Sequence, residues 1–206
     1  MYIPKYNLTT DKEEILSFIK TYSFATIITV KNNFQTATHL PFVVTETENQ
    51  IILTSHFAKA NTQWTEIAEN NVLVIFTEPH AYISTKHYDS EMNVPTWNYI
   101  AIHVYGKGQI FTEQNQSFDV LDKMINNFEK EYKHQWDKLP LDYKTKMLNG
   151  IVAFQIIATD IQAKKKLSQN RKEAERQNII SAFENSNNEN EKIIAELMKQ
   201  NEKPIK

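Results

Sequence analysis

The chain has 206 residues, of which 41% are hydrophobic and 11% aromatic, a composition that supports a globular protein with an apolar core. No apolar run approaches the roughly 20 residues of a membrane-spanning helix, and the first six residues lack a secretory signal pattern, so we expect a cytoplasmic protein with no membrane association. The formal net charge of −2 disfavours binding of nucleic acid by the whole molecule, and the absence of cysteine excludes disulfides and thiolate chemistry.

The first predicted element is a helix, because Ile15, Phe18 and Tyr22 recur at helical spacing after Thr10 and Glu13, which fit a capping box. Segments rich in β-branched and aromatic residues then predict an antiparallel meander of three strands: Phe24–Val30, Thr36–Val44 and Ile51–His56. A short helix over Asn61–Asn70 leads into Val72–Phe76, whose unbroken apolar run predicts a buried strand.

Later segments predict three more strands: Ala81–Thr85, Tyr99–Phe111 and Ile151–Ile161. Between the last two strands, apolar residues spaced by three or four from Phe118 to Tyr132 predict one long amphipathic helix. The number of strands is typical of a small antiparallel β-barrel with flanking helices, an α+β fold. Two further helices, at 169–185 and 189–201, give a helical C-terminus, and we divide the chain into a domain at 1–185 and an extension at 186–206.

A phosphate-binding segment is predicted at Thr54–Asn61. The chain has only three glycines, which excludes a dinucleotide fingerprint and a P-loop. Thr54, Ser55 and Lys59 instead lie where a strand runs into a helix start, and backbone donors together with an ammonium group bind anions there. The alternative is that Asn61 only caps the helix and that Lys59 is solvated.

Three other groups of residues have side chains suited to binding a ligand. His39 and His56 lack the third ligand that a zinc site needs, so no metal site is predicted. The aromatic residues of Val94–Tyr99 suit a planar ligand, although such side chains also fill barrel cores. The basic residues Lys164–Lys166 and Arg171 are diluted by acidic neighbours, which favours a solvated face or a phosphate contact over a DNA-reading helix.

Several blocks, in this order, resemble the PaiB family, described as negative regulators of protease synthesis and sporulation. They are Met1–Pro4, Ala37–Pro41, Ser55–Trp64, His80–Ser84, Val94–Tyr99 and Lys164–Arg171. The resemblance runs from the first residue to about Ile180. It implies an FMN-binding split barrel that works as a homodimer with the flavin at the subunit interface.

The resemblance also implies a set of cofactor-binding residues. Ala37, Thr38, His39 and Leu40 would lie along the isoalloxazine ring, and Thr54, Ser55 and Lys59 would hold the ribityl phosphate. Trp97, Asn98, Gln169 and Arg171 would line the pocket, from the same or the partner subunit. Lys59 stands where the family commonly has arginine, so the phosphate loses a bidentate contact there.

Two functions follow from the resemblance. The first is a PaiB-type negative transcriptional regulator that binds FMN and associates with DNA at most indirectly or weakly. The alternative is an FMN-dependent oxidoreductase or flavin reductase that uses NAD(P)H and a small substrate, in which the flavin carries the electrons. The residues identify no catalytic set, and the question of enzymatic activity stays open at the level of sequence.

Overall fold

The computed structural model describes residues 1–47 and 50–202. The predicted extension at 186–206 therefore lies partly outside the described residues. The helices and strands in chain order are β1 Leu8–Thr9, α1 Lys12–Thr21, β2 Phe24–Lys31, β3 Phe34–Pro41, β4 Val43–Glu46, β5 Ile51–Ala58, β6 Asn71–Ile83, β7 Thr96–Ile110, α2 Gln114–Phe128, α3 Tyr132–Lys138, α4 Leu141–Leu148, β8 Ile151–Lys166, α5 Glu173–Glu184 and α6 Glu189–Glu202.

The strands form a sheet in the order β3–β2–β6–β7–β8–β5–β4, and β1 pairs with β8. Pairing is antiparallel between β2 and β3, between β2 and β6, and between β5 and each of β4 and β8. The predicted class, an α+β protein built on an antiparallel sheet with flanking helices, is confirmed. Within the described residues, every helix is too short or too polar to traverse a lipid bilayer.

The β2–β3 hairpin positions the first group of predicted site residues. Asn32 and Asn33 take positive φ angles of 52° and 62° at its turn, a conformation that asparagine tolerates and that suits two-residue hairpin loops. The prediction of one strand over Thr36–Val44 was wrong, because Phe42 interrupts it: β3 ends at Pro41 and β4 begins at Val43. The N–H of Phe42 donates to the carbonyl of Ser23 over 2.8 Å, and its ring enters the core.

Three other predicted elements differ from the structure. The strand predicted at Ala81–Thr85 is the second half of β6, since the exposed polar residues at 77–78 interrupt the apolar pattern but not the strand. The helix predicted to reach Tyr132 ends at Phe128, and α3 and α4 follow as separate helices. The helix predicted at Asn61–Asn70 is a single 3-10 turn, Thr62–Thr65.

The chain divides into two compact units. The first contains residues 1–11, 77–102 and the described part of 163–206, and the second contains residues 12–76 and 103–162. The long strands β6, β7 and β8 supply residues to both.

In the first unit, α5 and α6 bury one apolar core together with strand residues. Ile179, Ile180 and Phe183 of α5 contribute to it, and so do Ile194 and Met198 of α6. Ile194 has none of its surface exposed. The C-terminal helix therefore packs in the same core as α5.

In the second unit, four fully buried phenylalanines form the centre of the core. The ring of Phe42 lies 6.0 Å from that of Phe76 and 6.1 Å from that of Phe154, both edge-on, and Phe57 stacks on Phe154 at 4.8 Å. On the other side of β4, β5 and β8, helix α2 covers a smaller cluster made of Val43, Val120, Met124 and Ala153.

The burial of α6 predicts that truncating Ile194 destabilises the protein. We expect Ile194→Ala to lower the free energy of unfolding by about 3 kcal/mol, because it leaves a cavity in the core shared with α5. The matched control is Ile193→Ala on the same helix, where the side chain is 37% exposed and the loss stays below about 1 kcal/mol. Urea unfolding measures both, and equal losses would contradict a packed α6.

Candidate functional site

The strand segment Ala37–Leu40 presents alternate residues to opposite faces of β3. Ala37 and His39 are exposed, whereas Thr38 and Leu40 are half-buried. The ring of His39 lies nearly parallel to that of Phe24, with centroids 6.4 Å apart. This segment belongs to the second unit. Because β3 is the terminal strand of the sheet order, its outer edge pairs with no further strand among the described residues.

The side chain of Thr38 is tied to the segment that follows β5. Its hydroxyl donates to Oε1 of Gln63 over 2.5 Å and accepts from Nδ2 of Asn61 over 2.9 Å. Asn61 in turn caps the 3-10 turn, since its Oδ1 accepts from the N–H of Gln63 over 3.1 Å. Two predicted regions, the middle of β3 and the segment near Lys59, are thereby held in one arrangement.

Gln63 is the centre of this network, and sequence reasoning missed it. Its side chain is buried, and its Nε2 lies within hydrogen-bond distance of the carbonyls of Ile27 (3.3 Å) and Thr36 (3.0 Å) and of the Thr29 hydroxyl (3.1 Å). The amide thus bonds to both strands of the β2–β3 hairpin and, through its own backbone, to the segment after β5. A single glutamine in a loop gives no periodic signal that could have revealed this.

The segment after β5 is also anchored at its far end. The N–H of Gly108 on β7 donates to the carbonyl of Ile67 over 3.1 Å. A Cβ at position 108 would lie 2.5 Å from that carbonyl oxygen, so glycine is what permits the close approach.

Lys59 has an exposed side chain at the edge of a cleft of about 490 Å³ in the second unit. Its N–H donates to the carbonyl of Gly150 over 2.8 Å, and its carbonyl accepts from Nε1 of Trp64 over 3.1 Å. The backbone is therefore fixed while the ammonium group stays available. The cleft is further lined by hydroxyl-bearing and amide residues: Thr112, Gln114, Ser117, Thr145 and Asn149.

The helix predicted to start beside Lys59 does not form. Thr62–Thr65 is only one turn of 3-10 helix, which is too short to build up a useful dipole at its start. Attraction for an anion must therefore come from the charge of Lys59 and from the polar groups of the cleft.

Thr54 and Ser55 are both buried, and as successive strand residues they point to opposite faces of β5. The Ser55 hydroxyl donates to the carbonyl of Pro41 over 2.7 Å. The Thr54 hydroxyl is enclosed with no hydrogen-bond partner among the described residues. Their assignment to a phosphate stays a prediction.

Trp97, Asn98, Gln169 and Arg171 lie in the first unit. Trp97 is 50% exposed, whereas Asn98 is fully buried and accepts from the Ser168 hydroxyl over 3.1 Å. Gln169 bonds to the backbone on both sides of its own turn, with Oε1 accepting from the N–H of residue 167 and Nε2 donating to the carbonyl of residue 165.

Arg171 is likewise engaged within the first unit. It donates to Oδ1 of Asn93 over 2.6 Å, and its guanidinium lies 3.8 Å from the ring centroid of Tyr88. Of the four predicted residues in this unit, Trp97 presents the largest free surface for a ligand.

A family model described as "Putative FMN-binding domain" matches residues 1–160. The chain is 44% identical over 201 residues to the Protease synthase and sporulation protein PAI 2 of Bacillus subtilis (strain 168), covering 96% of each chain. It is 27% identical over 203 residues to an uncharacterized protein of Emericella nidulans, covering 80% of this chain and 81% of the relative.

Solved structures share the fold at low sequence identity. The flavocytochrome Anf3 from Azotobacter vinelandii superimposes with a TM-score of 0.63 at 12% identity, covering 80% of this chain and 72% of that one. The FAD and heme binding protein from Mycobacterium smegmatis gives a TM-score of 0.61 at 14% identity, covering 78% and 73%. These likenesses confirm the predicted split-barrel fold.

The buried amide of Gln63 predicts a large effect of its removal. We expect Gln63→Leu to lower the free energy of unfolding by about 3 kcal/mol, because the carbonyls of Ile27 and Thr36 lose a donor in a buried place. Gln35→Leu, at an exposed position of β3, is the control and should change it by less than about 1 kcal/mol. Chemical unfolding compares the two, and a Gln63 variant as stable as the control would show that the network is dispensable.

A second prediction concerns His56, whose Nδ1 lies 3.2 Å from the sulfur of Met124 on α2. Burial lowers the pKa of His56 below its ordinary value of 6.5. The unfolded chain therefore takes up more protons as the pH falls, so this contribution to stability is present above about pH 6.5 and is lost below it.

We expect His56→Gln to reduce the loss of stability between about pH 7.5 and about pH 5.5, measured by urea unfolding at each pH. Part of the loss should remain, because burial also lowers the pKa values of His87 and His103. An unchanged pH dependence in the variant would contradict the assignment to His56.

Proposed function

The chain belongs to the FMN-binding family of the PaiB type, and from that premise we propose that it binds FMN and acts, in its flavin-bound form, as a negative regulator. The bound flavin would supply reversible electron transfer, and the protein would supply binding and orientation. For the phosphate end of the cofactor, the chain carries a charge of opposite sign at Lys59.

The observation that carries the proposal is the position of Lys59. Its exposed side chain lines a cleft of about 490 Å³, while its backbone is bonded to Gly150 and to the side chain of Trp64. Hydroxyl groups of Thr112 and Ser117 line the same cleft. An ammonium with neighbouring hydroxyl donors suits a phosphate, which accepts several hydrogen bonds at once.

We place the ring of the flavin along Ala37–Leu40 of β3. The Gln63 network supports this, since it holds the middle of β3 and the Lys59 segment at a constant separation before any ligand arrives. A binding site whose two ends are already fixed loses less entropy when the cofactor binds.

The remaining predicted residues differ in whether their side chains are already engaged within the protein. Trp97 has a half-exposed ring that can contact a flavin directly. Ser55, Asn98, Gln169 and Arg171 have polar groups already bonded within the protein, so they would have to exchange those bonds for flavin contacts. Thr54 has an enclosed hydroxyl that needs a partner.

We further propose that the protein is a homodimer. Three large apolar side chains are exposed on the β2–β3 hairpin: Phe24 at 66%, Val30 at 44% and Phe34 at 73%. Large apolar side chains left exposed on one hairpin are candidates for burial by a second copy of the chain. Light scattering coupled to size exclusion tests this, and a monomer at micromolar concentration would contradict it.

The family and the name of the Bacillus relative support the regulatory role. A regulator of gene expression in a bacterium would act in the cytoplasm. Direct reading of DNA is not favoured by the geometry around Arg171. Helix α5 begins with Glu173 and carries Glu175 in its first turn, and carboxylates there repel phosphate. We therefore expect at most weak or indirect association with DNA.

The proposal predicts that Lys59 distinguishes FMN from riboflavin. Lys59→Met should weaken FMN binding by about 10- to 100-fold, because a charge-assisted hydrogen bond to phosphate is lost, and should leave riboflavin binding unchanged. Lys59→Arg should bind FMN at least as tightly as the native protein, since the fork can contact two phosphate oxygens. Quenching of flavin fluorescence measures each dissociation constant.

Lys31→Met is the matched control, because Lys31 is also exposed and lies in the same unit. If Lys59→Met weakened the binding of FMN and of riboflavin equally, Lys59 would not contact the phosphate. Failure of the native protein to bind FMN would contradict the proposed function itself.

The rate at which NADH or NADPH reduces the bound flavin distinguishes the regulator from the oxidoreductase. Anaerobic incubation of the FMN-loaded protein with NADH or NADPH should leave the flavin oxidised for hours if the protein is a regulator that does not use these donors. Reduction of the flavin within seconds would contradict the regulator hypothesis and favour the flavin reductase.

A further inference from the structure

The pair Asn149–Gly150 is the only asparagine–glycine pair in the chain. It lies at the end of α4, where Asn149 is the C-cap residue. An asparagine side-chain amide can be attacked by the backbone nitrogen of the next residue, and glycine leaves that approach open because it has no side chain. The sequence therefore places the pair most susceptible to deamidation at a helix end.

The side chain of Asn149 is exposed to water. Among the described residues, its amide makes no hydrogen bond that would hold it in one orientation. Asn185, the C-cap residue of α5, has the opposite arrangement, because its amide donates to the Ser181 carbonyl over 2.8 Å. Of these two helix ends, only the first leaves its amide free to turn toward the following backbone nitrogen.

The backbone nitrogen of Gly150 is held by a single bond at the end of the helix. It donates to the Met147 carbonyl over 3.0 Å, and the N–H of Asn149 donates to the Thr145 carbonyl over 3.1 Å. Terminal helix bonds open more readily than bonds in the middle of a helix. Opening of this last turn exposes the Gly150 nitrogen beside the Asn149 side chain.

The reaction needs only water and hydroxide. The Gly150 nitrogen loses its proton to hydroxide and forms a bond to Cγ of Asn149, while the bond from Cγ to Nδ2 breaks and ammonia leaves with a proton from water. Water then adds to either carbonyl of the five-membered succinimide ring and opens it to aspartate or isoaspartate. The balance is one water consumed and one ammonia released, with no oxidation or reduction.

The new carboxylate would lie in the cleft that contains Lys59. Asn149 lines this cleft, and among the described lining residues Lys59 alone is charged. The carbonyl of Gly150 also accepts from the N–H of Lys59 over 2.8 Å. A carboxylate at position 149 would compete with an external anion for the ammonium group. Isoaspartate would in addition lengthen the backbone next to the carbonyl that holds Lys59.

We propose that Asn149 is a site of spontaneous deamidation, and that the acidic form of the protein binds phosphate ligands less tightly at the Lys59 cleft. The first half stands on Asn149 and Gly150 alone, whereas the second half rests on the function proposed above for Lys59. Because the deamidated fraction grows with the age of a molecule, the modification limits the lifetime of the flavin-binding form.

The modification is tested on the full chain, aged at neutral and at mildly alkaline pH. The tryptic peptide 147–164 contains Asn149 as its only asparagine, so mass spectrometry of this peptide reports conversion of the amide to the acid. We expect Asn149 to convert before Asn185, and faster at the higher pH because the attacking nitrogen must lose a proton. A synthetic peptide of the same sequence gives the rate without the folded helix.

Two variants should prevent the reaction. Asn149→Gln has a longer side chain that cannot close the five-membered ring. Gly150→Ala adds a Cβ that hinders the attack and that lies 3.3 Å from the Met147 carbonyl oxygen, a contact that a small shift relieves. Thermal unfolding verifies that both variants are folded.

The effect on the cleft is tested with the acidic form, which ion exchange separates by its additional negative charge. This form and the Asn149→Asp variant should bind FMN about 3- to 30-fold more weakly than the fresh protein and should bind riboflavin unchanged. Asn127→Asp, at an exposed position of α2 in the same unit, is the matched control and should retain native affinity. Quenching of flavin fluorescence measures each dissociation constant.

The outcomes separate the two halves of the proposal. An Asn149 that stays an amide in the folded protein while the synthetic peptide converts would overturn the modification site. A native protein that binds FMN, together with an Asn149→Asp variant of equal affinity, would overturn the effect on the cleft. A native protein that binds no FMN would contradict the proposed function and with it the second half, while the mass of peptide 147–164 would still decide the first.

Discussion

The buried side-chain amide of Gln63 is the interaction on which the candidate flavin site depends. It is bonded to the carbonyls of both strands of the β2–β3 hairpin, and its backbone is bonded to Asn61 in the segment after β5. A buried amide that loses such partners is costly, so the arrangement has one stable geometry. Thr38 joins the same network, and the position of Lys59 relative to β3 follows from it.

The pleat of the strands decides which residues can act together. Neighbours such as Thr54 and Ser55 point to opposite faces, whereas residues two apart, such as Trp97 and Tyr99, share one. In the first unit this alternation places apolar side chains toward α5 and α6 and leaves aromatic side chains and two lysines on the open side. One side of this part of the sheet thus packs in a core, and the other side carries exposed aromatic groups.

Lys59 carries the charge on which both proposals for the cleft depend. It has a fixed backbone and an exposed side chain at a cleft lined by hydroxyl groups. The turn at Thr62–Thr65 is too short to contribute a useful dipole. The charge of the side chain itself must attract the anion, so a negative charge created at Asn149 would oppose it directly.

The sequence by itself determined the class of fold, the family and the location of most strands, because these depend on local alternation and on blocks of adjacent residues such as Val94–Tyr99. It also located Lys59 beside a strand end. It could not show that Phe42 breaks a strand or that Gln63 links three segments, because those roles depend on residues distant in the chain. Only the tertiary structure decided which polar groups are already engaged, since hydrogen bonds to residues distant in the chain occupy Ser55, Asn98 and Arg171.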